Sequence, residues 1–401
     1  MTLDLQGFRD LFPALRSGTF MNVAQRGLMA EPVRLAIEQY LHLRTGYEWD
    51  KQALFDRTEE TRARFARFIG AESADEVAFA KNVSDGINMI AGAIDWRPGD
   101  NMVFCPELEH PANVFPWFNA RHRHGVELRA VEPVEGRVPV ERLAERIDAR
   151  TRLITVPTVS FSPGFITDVQ ALSRVCRARG VFLLVDAAQS VGILHTDVRA
   201  MGADALAVAT QKGLMACYGM GFLYCRAEAA EALQPAALAR FGVDLPDDAH
   251  ETALADEDFR YAHAARRFDV GNYNYLGVLA ANRALEILES VGTPILEAHV
   301  RGLARGLAQR LLDLDLPVVG GEPGPDLGHI VAVGTSGGGR HDTVDDPRMQ
   351  SLHRFLTERD IHFAVRKGVL RFSLHGYNDR PDVERVAEAA AEWRRTSLSA
   401  H

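Results

Sequence analysis

Two short runs constrain this chain more than anything else in it. Val181-Phe-Leu-Leu-Val185 is apolar throughout and stops at Asp186. Ala203 to Ala209, polar only at Asp204, is followed by Thr210-Gln211-Lys212. A strand without polar alternation has to be covered on both faces, as the central strands of a parallel sheet are by flanking helices. Each run then gives way to an ionisable group. Charges at strand ends of an open α/β sheet point into the crevice where ligands bind, so Asp186 and Lys212 are expected to share it. A lysine amine held there can form a Schiff base with a carbonyl, and an aspartate there can keep a heteroaromatic ring nitrogen protonated.

The rest of the pattern agrees with such a sheet. Residues 32–45, 54–69, 84–93, 112–124 and 168–179 read as helices. Between them lie strand-like segments at 76–80, 102–105, 126–131 and 153–156, the two runs above, and 221–225. This alternation predicts an α/β fold with a large, mostly parallel or mixed sheet covered on both faces. After Gly271 the pattern changes. Residues 275–290 and 293–312 read as a long helical pair, followed by short strands near 329–333, 362–366 and 369–373 and a closing helix at 381–397. The expected organisation is an N-terminal segment (1–20), a large domain (21–274) and a smaller α+β C-terminal domain (275–401) bridged by the helix from Tyr275. Two stretches are expected to be mobile, acidic 244–258 and the Gly- and Asp-rich 334–348.

Composition removes several function classes. A chain of 401 residues with 47% hydrophobic content can bury a large core. Its net charge of −9 disfavours nucleic acid, which wants a basic stripe. No apolar run reaches membrane-span length, and the N-terminus lacks the basic start and apolar stretch of a signal peptide. The four cysteines, Cys105, Cys176, Cys217 and Cys225, show no CxxC spacing, so a reduced cytoplasmic protein without a bound metal is expected.

Several motifs now fall into one order. Val185-Asp-Ala-Ala-Gln-Ser-Val-Gly192 followed by Lys212 resembles the class V aminotransferase family of pyridoxal phosphate (PLP) enzymes, and the likeness runs from Phe20-Met-Asn22 to Tyr377-Asn378. It implies the PLP-dependent transferase fold type I, and a homodimer with the active site at the subunit interface. It implies that Lys212 carries the cofactor as a Schiff base and that Asp186 pairs with its pyridine nitrogen. Gln189 would donate to the cofactor's phenolic oxygen, and His110, in Glu107-Leu-Glu-His-Pro-Ala-Asn113, would stack on the ring and shuttle protons. Phosphate would sit on the helix start at Lys81-Asn-Val-Ser-Asp-Gly86, through the Val83 amide and Ser84. Thr210 and Gln211 stand where the family reads Ser-Gly-His, and Asn272 stands where threonine often reaches in from the partner subunit. Arg371, in Val369-Leu-Arg-Phe-Ser-Leu374, would grip the substrate's α-carboxylate, in preference to neighbouring Arg366. Plainer readings exist for each: a helix cap for Asp186, a capping box with it for Gln189, a structural role for His110 and surface positions for Lys212 and Arg371.

The reaction is less legible. Desulfurases of the family need a mobile cysteine shortly before the Arg371 strand, and this chain has none after Cys225. Thr158-Val-Ser-Phe-Ser-Pro-Gly-Phe165 resembles the isopenicillin-N-epimerase-like branch, which includes lyases acting on S-conjugated cysteines. The favoured expectation is β-elimination from such a cysteine, a C–S lyase in a biosynthetic pathway. Transamination is an alternative, as is epimerisation with Tyr218, Tyr273 or His110 as second acid. A remote alternative is a serine hydrolase using Ser336, because Gly334-Thr-Ser-Gly-Gly338 fits the nucleophile-elbow pattern. A non-catalytic relative of the fold would not need both Lys212 and Asp186.

Overall fold

The computed structural model describes residues 3–47, 50–246, 254, 257–337 and 339–398. Strand β1 (Thr19–Phe20) lies near the start of the chain. The large sheet is built from β2 (Val77–Ala80), β3 (Asn101–Phe104), β4 (Glu127–Ala130), β5 (Thr151–Pro157), β6 (Phe182–Asp186), β7 (Ala205–Ala209) and β8 (Gly221–Cys225). Its order is β2-β8-β7-β6-β5-β3-β4. Strands β3 to β7 are parallel to their neighbours, and β8 runs antiparallel to both β7 and β2. The two runs that open the sequence argument are therefore adjacent central strands, with Leu184, Val185 and Asp186 in register with Ala205, Leu206 and Ala207.

The crossover helices follow from local chemistry. Helix Val169–Arg179 begins where the Asp168 carboxylate accepts the Ala171 N–H (2.8 Å) and ends at Gly180, whose φ of 65° an L side chain resists. Its buried residues Val169, Leu172 and Cys176 recur at helical spacing and face the sheet. Helix Phe115–His124 likewise ends at left-handed Gly125.

The last four strands are β9 (Ile330–Gly334), β10 (Ile361–His362), β11 (Ala364–Arg366) and β12 (Val369–Ser373). They form an antiparallel sheet β11-β12-β9, while β10 pairs in parallel with β1 from the opposite end of the chain. Helices Thr293–Leu312, Pro347–Thr357 and Arg380–Leu398 complete this smaller layer. Its core also takes in Met21, Val23, Ala24, Val159, Phe165, Ile193 and Leu194, so an apolar seam joins it to the large sheet. Helix Tyr275–Val291 packs on Glu31–Arg44 and Lys51–Phe68.

The N-terminal segment does more than lead in. From β1 it runs across the front of the large sheet. The Ala24 N–H donates to Ser373 Oγ (2.9 Å), and the Gly27 N–H donates to the Gln211 carbonyl (2.8 Å). Any Cβ on Gly27 would lie 2.3 Å from the Lys212 carbonyl oxygen, so only glycine permits this approach. Among the described residues, no helix is long and apolar enough to cross a membrane. The acidic stretch 244–258 falls largely outside the described residues.

Candidate active site

Asp186 closes β6 and is buried. No helix starts there. Its Oδ1 accepts the Ala188 N–H (2.9 Å) in a local turn, so the helix-cap alternative does not apply. Burial pushes its carboxyl up, opposed by the Ala188 N–H and by the Lys212 charge. Lys212 stands in the turn after β7, partly accessible. Burial pushes its amine down to about 8; Asp186 pulls it up, while Arg371 and Arg366 push it further down. The amine therefore has a free-base fraction near neutral pH, which a nucleophile needs.

His110 starts the short turn Pro111–Asn113. Its Nδ1 accepts the Ala112 N–H (3.1 Å), so a neutral ring keeps its proton on Nε2. Partial burial and then the charges of Lys212, His341, Arg371 and Arg366 push the ring down to about 4. It is a neutral donor at physiological pH. Its ring meets Phe161 edge-on, with centroids 5.7 Å apart.

Arg371 is the strongest feature of the small sheet. It lies on the central strand β12, not on an edge, and is 2% exposed. Its Nη1 donates to the Phe161 carbonyl (2.7 Å), but among the described residues its buried Nε has no partner and no carboxylate pairs with it. Burial and the nearby Arg366 charge push it down to about 9. A guanidinium kept dry and unpaired is a receptor for an anion. Arg366 is half-buried, and its Nη1 donates to the Val365 carbonyl (2.6 Å).

Two residues separate the end of β2 from helix Val83–Ala93. Asn82 caps it by accepting the Asp85 N–H (2.9 Å), which leaves the Val83 and Ser84 N–H groups without an acceptor among the described residues. Gly221 permits the approach of this helix start to the sheet, because a Cβ there would lie 3.2 Å from Asn82 Cα and 2.5 Å from the Val208 carbonyl oxygen.

Other expected residues sit differently. The buried Thr210 hydroxyl donates to the Cys217 carbonyl (2.7 Å), so it staples its own loop and has no proton left for an anion. Gln211 is partly accessible. Gln189 is buried; its Nε2 donates to the Ala24 carbonyl (3.1 Å) and its Oε1 lacks a partner. Asn272 is exposed at a φ of 39° in the turn before helix Tyr275–Val291. Tyr273 is removed as a second acid, because its hydroxyl donates to Asp269 (3.1 Å), itself paired with Arg62. Tyr218 is 65% exposed. The Ser336 alternative also fails on context: the next helix begins only at Pro347, and no histidine bonds to Ser336 among the described residues. Among the described residues no His, Cys, Asp and Glu group could hold a metal ion.

Sequence reasoning marked Phe161 only as standing where desulfurases carry asparagine. It gave no role to Phe161, whose carbonyl fixes Arg371 and whose ring meets His110, or to Glu109, the buried neighbour of His110. Both sit inside quoted motifs, but nothing local announces a carbonyl contact or a buried carboxyl.

A lysine and an aspartate at adjacent central strand ends, with a desolvated arginine whose charge reaches the lysine, make one polar site. Residues 39–386 match the sequence profile of the class V aminotransferases. The chain is 31% identical to the uncharacterized aminotransferase YcbU of Bacillus subtilis, covering 96% of both chains. It is 31% identical to a probable cysteine desulfurase of Methanothermobacter thermautotrophicus, again over 96% of each. In fold it is similar to the cysteine desulfurase of Thermococcus onnurineus (TM-score 0.84, 23% identity, 99% of both chains). It is also similar to the cystine C–S lyase C-DES, solved with its product cysteine persulfide (TM-score 0.81, 20% identity, 94% of this chain and 99% of that one). The chain belongs to the class V aminotransferase family, whose enzymes depend on pyridoxal phosphate.

Proposed function

We propose that the enzyme eliminates the sulfur substituent of an S-conjugated L-cysteine in a biosynthetic pathway. The site residues fit the cofactor: Lys212 for its aldehyde, the buried Asp186 for its ring nitrogen, the free N–H groups of Val83 and Ser84 for its phosphate, with Gln189, Gln211 and Asn272 as further contacts. When bound, pyridoxal phosphate supplies an electron sink that allows the substrate's Cα–H bond to break. Arg371 holds the α-carboxylate through its unpaired N–H groups. The Lys212 amine, which burial gives a free-base fraction at physiological pH, takes the Cα proton as general base. The Cβ–S bond then breaks with its electron pair on sulfur, and His110, with its proton on Nε2, donates to the leaving thiolate. One water completes hydrolysis to pyruvate and ammonia.

The state of the thiols carries this reading. Cys105, Cys176 and Cys225 are buried, and Cys217 is half-buried, with burial pushing all four thiols up. Thiols held up in this way are poor acceptors of sulfur from the substrate, which supports departure of the sulfur with its substituent over transfer to the protein. Of the three second acids that epimerisation could use, Tyr273 is engaged by Asp269, while Tyr218 and His110 are not. A cystine C–S lyase among the similar folds supports the same direction. The test is product mass spectrometry after the PLP-loaded enzyme meets a panel of S-substituted cysteines without an amino acceptor. Thiol, pyruvate and ammonia in equal amounts are expected. A keto acid formed once per subunit would overturn elimination in favour of transamination.

The same reading makes the enzyme a homodimer. Leu35, Leu41 and Leu43 are exposed on helix Glu31–Arg44, beside a cavity of about 640 Å³ shared with helices Lys51–Phe68 and Tyr275–Val291. Such an apolar face marks an association surface. Sedimentation at twice the chain mass is expected, and a monomer at micromolar concentration would refute it.

A further inference from the structure

Lys367 is a half-buried cation without a counter-ion. It opens the turn Lys367-Gly368 that joins β11 to β12, two residue pairs from Arg371. Its φ of 47° is a conformation that lysine seldom adopts, and the Gly337 N–H donates to its carbonyl (2.8 Å), so the fold fixes the root of the side chain. Its Nζ donates to the Glu107 carbonyl (2.8 Å) and stands 5.0 Å from the centre of the Phe161 ring. Among the described residues no carboxylate lies within ion-pair distance of it. An ammonium has three donors, so part of its capacity is unspent. The Phe161 ring also meets His110 edge-on, and the Phe161 carbonyl holds Arg371. One residue thus links Lys367 to two groups of the active site.

A cavity of about 650 Å³ opens at this point, with Glu107, Leu108, Ser162, Ser336 and Lys367 in its lining. Ser162 is 4% exposed, and its hydroxyl has no partner among the described residues. A buried hydroxyl left unpaired is costly, so it marks a place for a ligand acceptor. The acidic groups at the rim do not cancel the Lys367 charge. Glu107 and Glu135 are exposed; Glu107 hydrogen-bonds Glu132, which pushes it up, and Glu135 faces Arg137 at 3.9 Å. Burial pushes the Lys367 amine down, opposed chiefly by Glu107, and an anion in the cavity relieves that cost.

We propose that this cavity receives the S-substituent of the substrate and that Lys367 selects a substituent ending in an anion, with the Ser162 hydroxyl as a second donor. The proposal rests on the elimination reading above for the amino-acid end of the substrate, and it adds what the sulfur carries. Arg371 and Lys367 then take the two ends of one molecule. A charge-assisted hydrogen bond in a half-buried site discriminates an acid from its neutral amide by about tenfold.

The experiment is calorimetric binding to the PLP-loaded enzyme of three L-cysteine thioethers that differ only at the far end: S-carboxyethyl, S-carbamoylethyl and S-aminoethyl. Product formation is followed alongside. Wild type should bind the acid at least about tenfold more tightly than the amide, and the amine least tightly. In Lys367→Met the preference for acid over amide should shrink to within about twofold, and in Lys367→Glu the amine should become the tightest of the three. The order of ligands within each protein is the readout, so a uniform loss of affinity from a disturbed turn does not imitate it. Equal binding of acid and amide by wild type, or an acid preference that survives in Lys367→Met, would overturn the proposal. Discrimination without elimination of any thioether would sink the elimination reading and leave the subsite standing; elimination without discrimination would do the reverse.

Discussion

Lys212→Ala should lower kcat/KM by at least about 10³-fold, since it removes both the nucleophile for the cofactor and the general base. The same substitution should abolish the visible absorbance of the lysine-bound cofactor while PLP still binds non-covalently. In wild type, loading with PLP should accelerate as pH rises through about 8, where the amine loses its proton. The sign follows from the direction of the shift: burial disfavours the charged amine, so the reactive free base appears below the usual lysine range. Stopped-flow absorbance at a series of pH values measures this. Full turnover in the variant would refute the assignment of Lys212.

Arg371→Met should do two opposite things. It should lower kcat/KM by about 10²-fold, chiefly through KM, because a buried charged partner of the substrate carboxylate is worth about 3 kcal/mol. It should also raise the stability of the ligand-free enzyme by about 1 kcal/mol or more, because Arg371 is a dry charge whose Nε is unpaired. Steady-state kinetics and the Tm of the ligand-free protein test the pair together. A variant that loses both activity and stability would show that Arg371 is chiefly a structural prop for the Phe161 loop. Activity bought at the expense of stability is the mark of a receptor residue.

The large sheet was legible because its central strands are apolar at successive positions and its helices carry ordinary start and stop signals, such as Asp168 and Gly180. The strand ends put Asp186 and Lys212 in one crevice before any contact was known. Arg371 was legible only through its motif, and its unpaired Nε was not. What the sequence could not convey were partners far away along the chain. Tyr273 reads as a free phenol until Asp269 and Arg62 close on it. Thr210 reads as an anion donor until Cys217 and Met220 take its hydroxyl. Strand β1 is two residues long and pairs with β10 at the other end of the chain, so no local period announces it. Helix Leu5–Asp10 was overlooked for a similar reason: it is one and a half turns, held by Phe8 against Phe12 and His375.

The N-terminal segment between β1 and Gly27 touches both halves of the site, through Ser373 two residues beyond Arg371 and through Gln211 beside Lys212. His375 repeats the tie by bonding the Gly213 carbonyl (2.9 Å). These bonds make the two halves jaws of a locked calliper. The relative position of amine and guanidinium is then a property of the folded backbone rather than of either side chain alone.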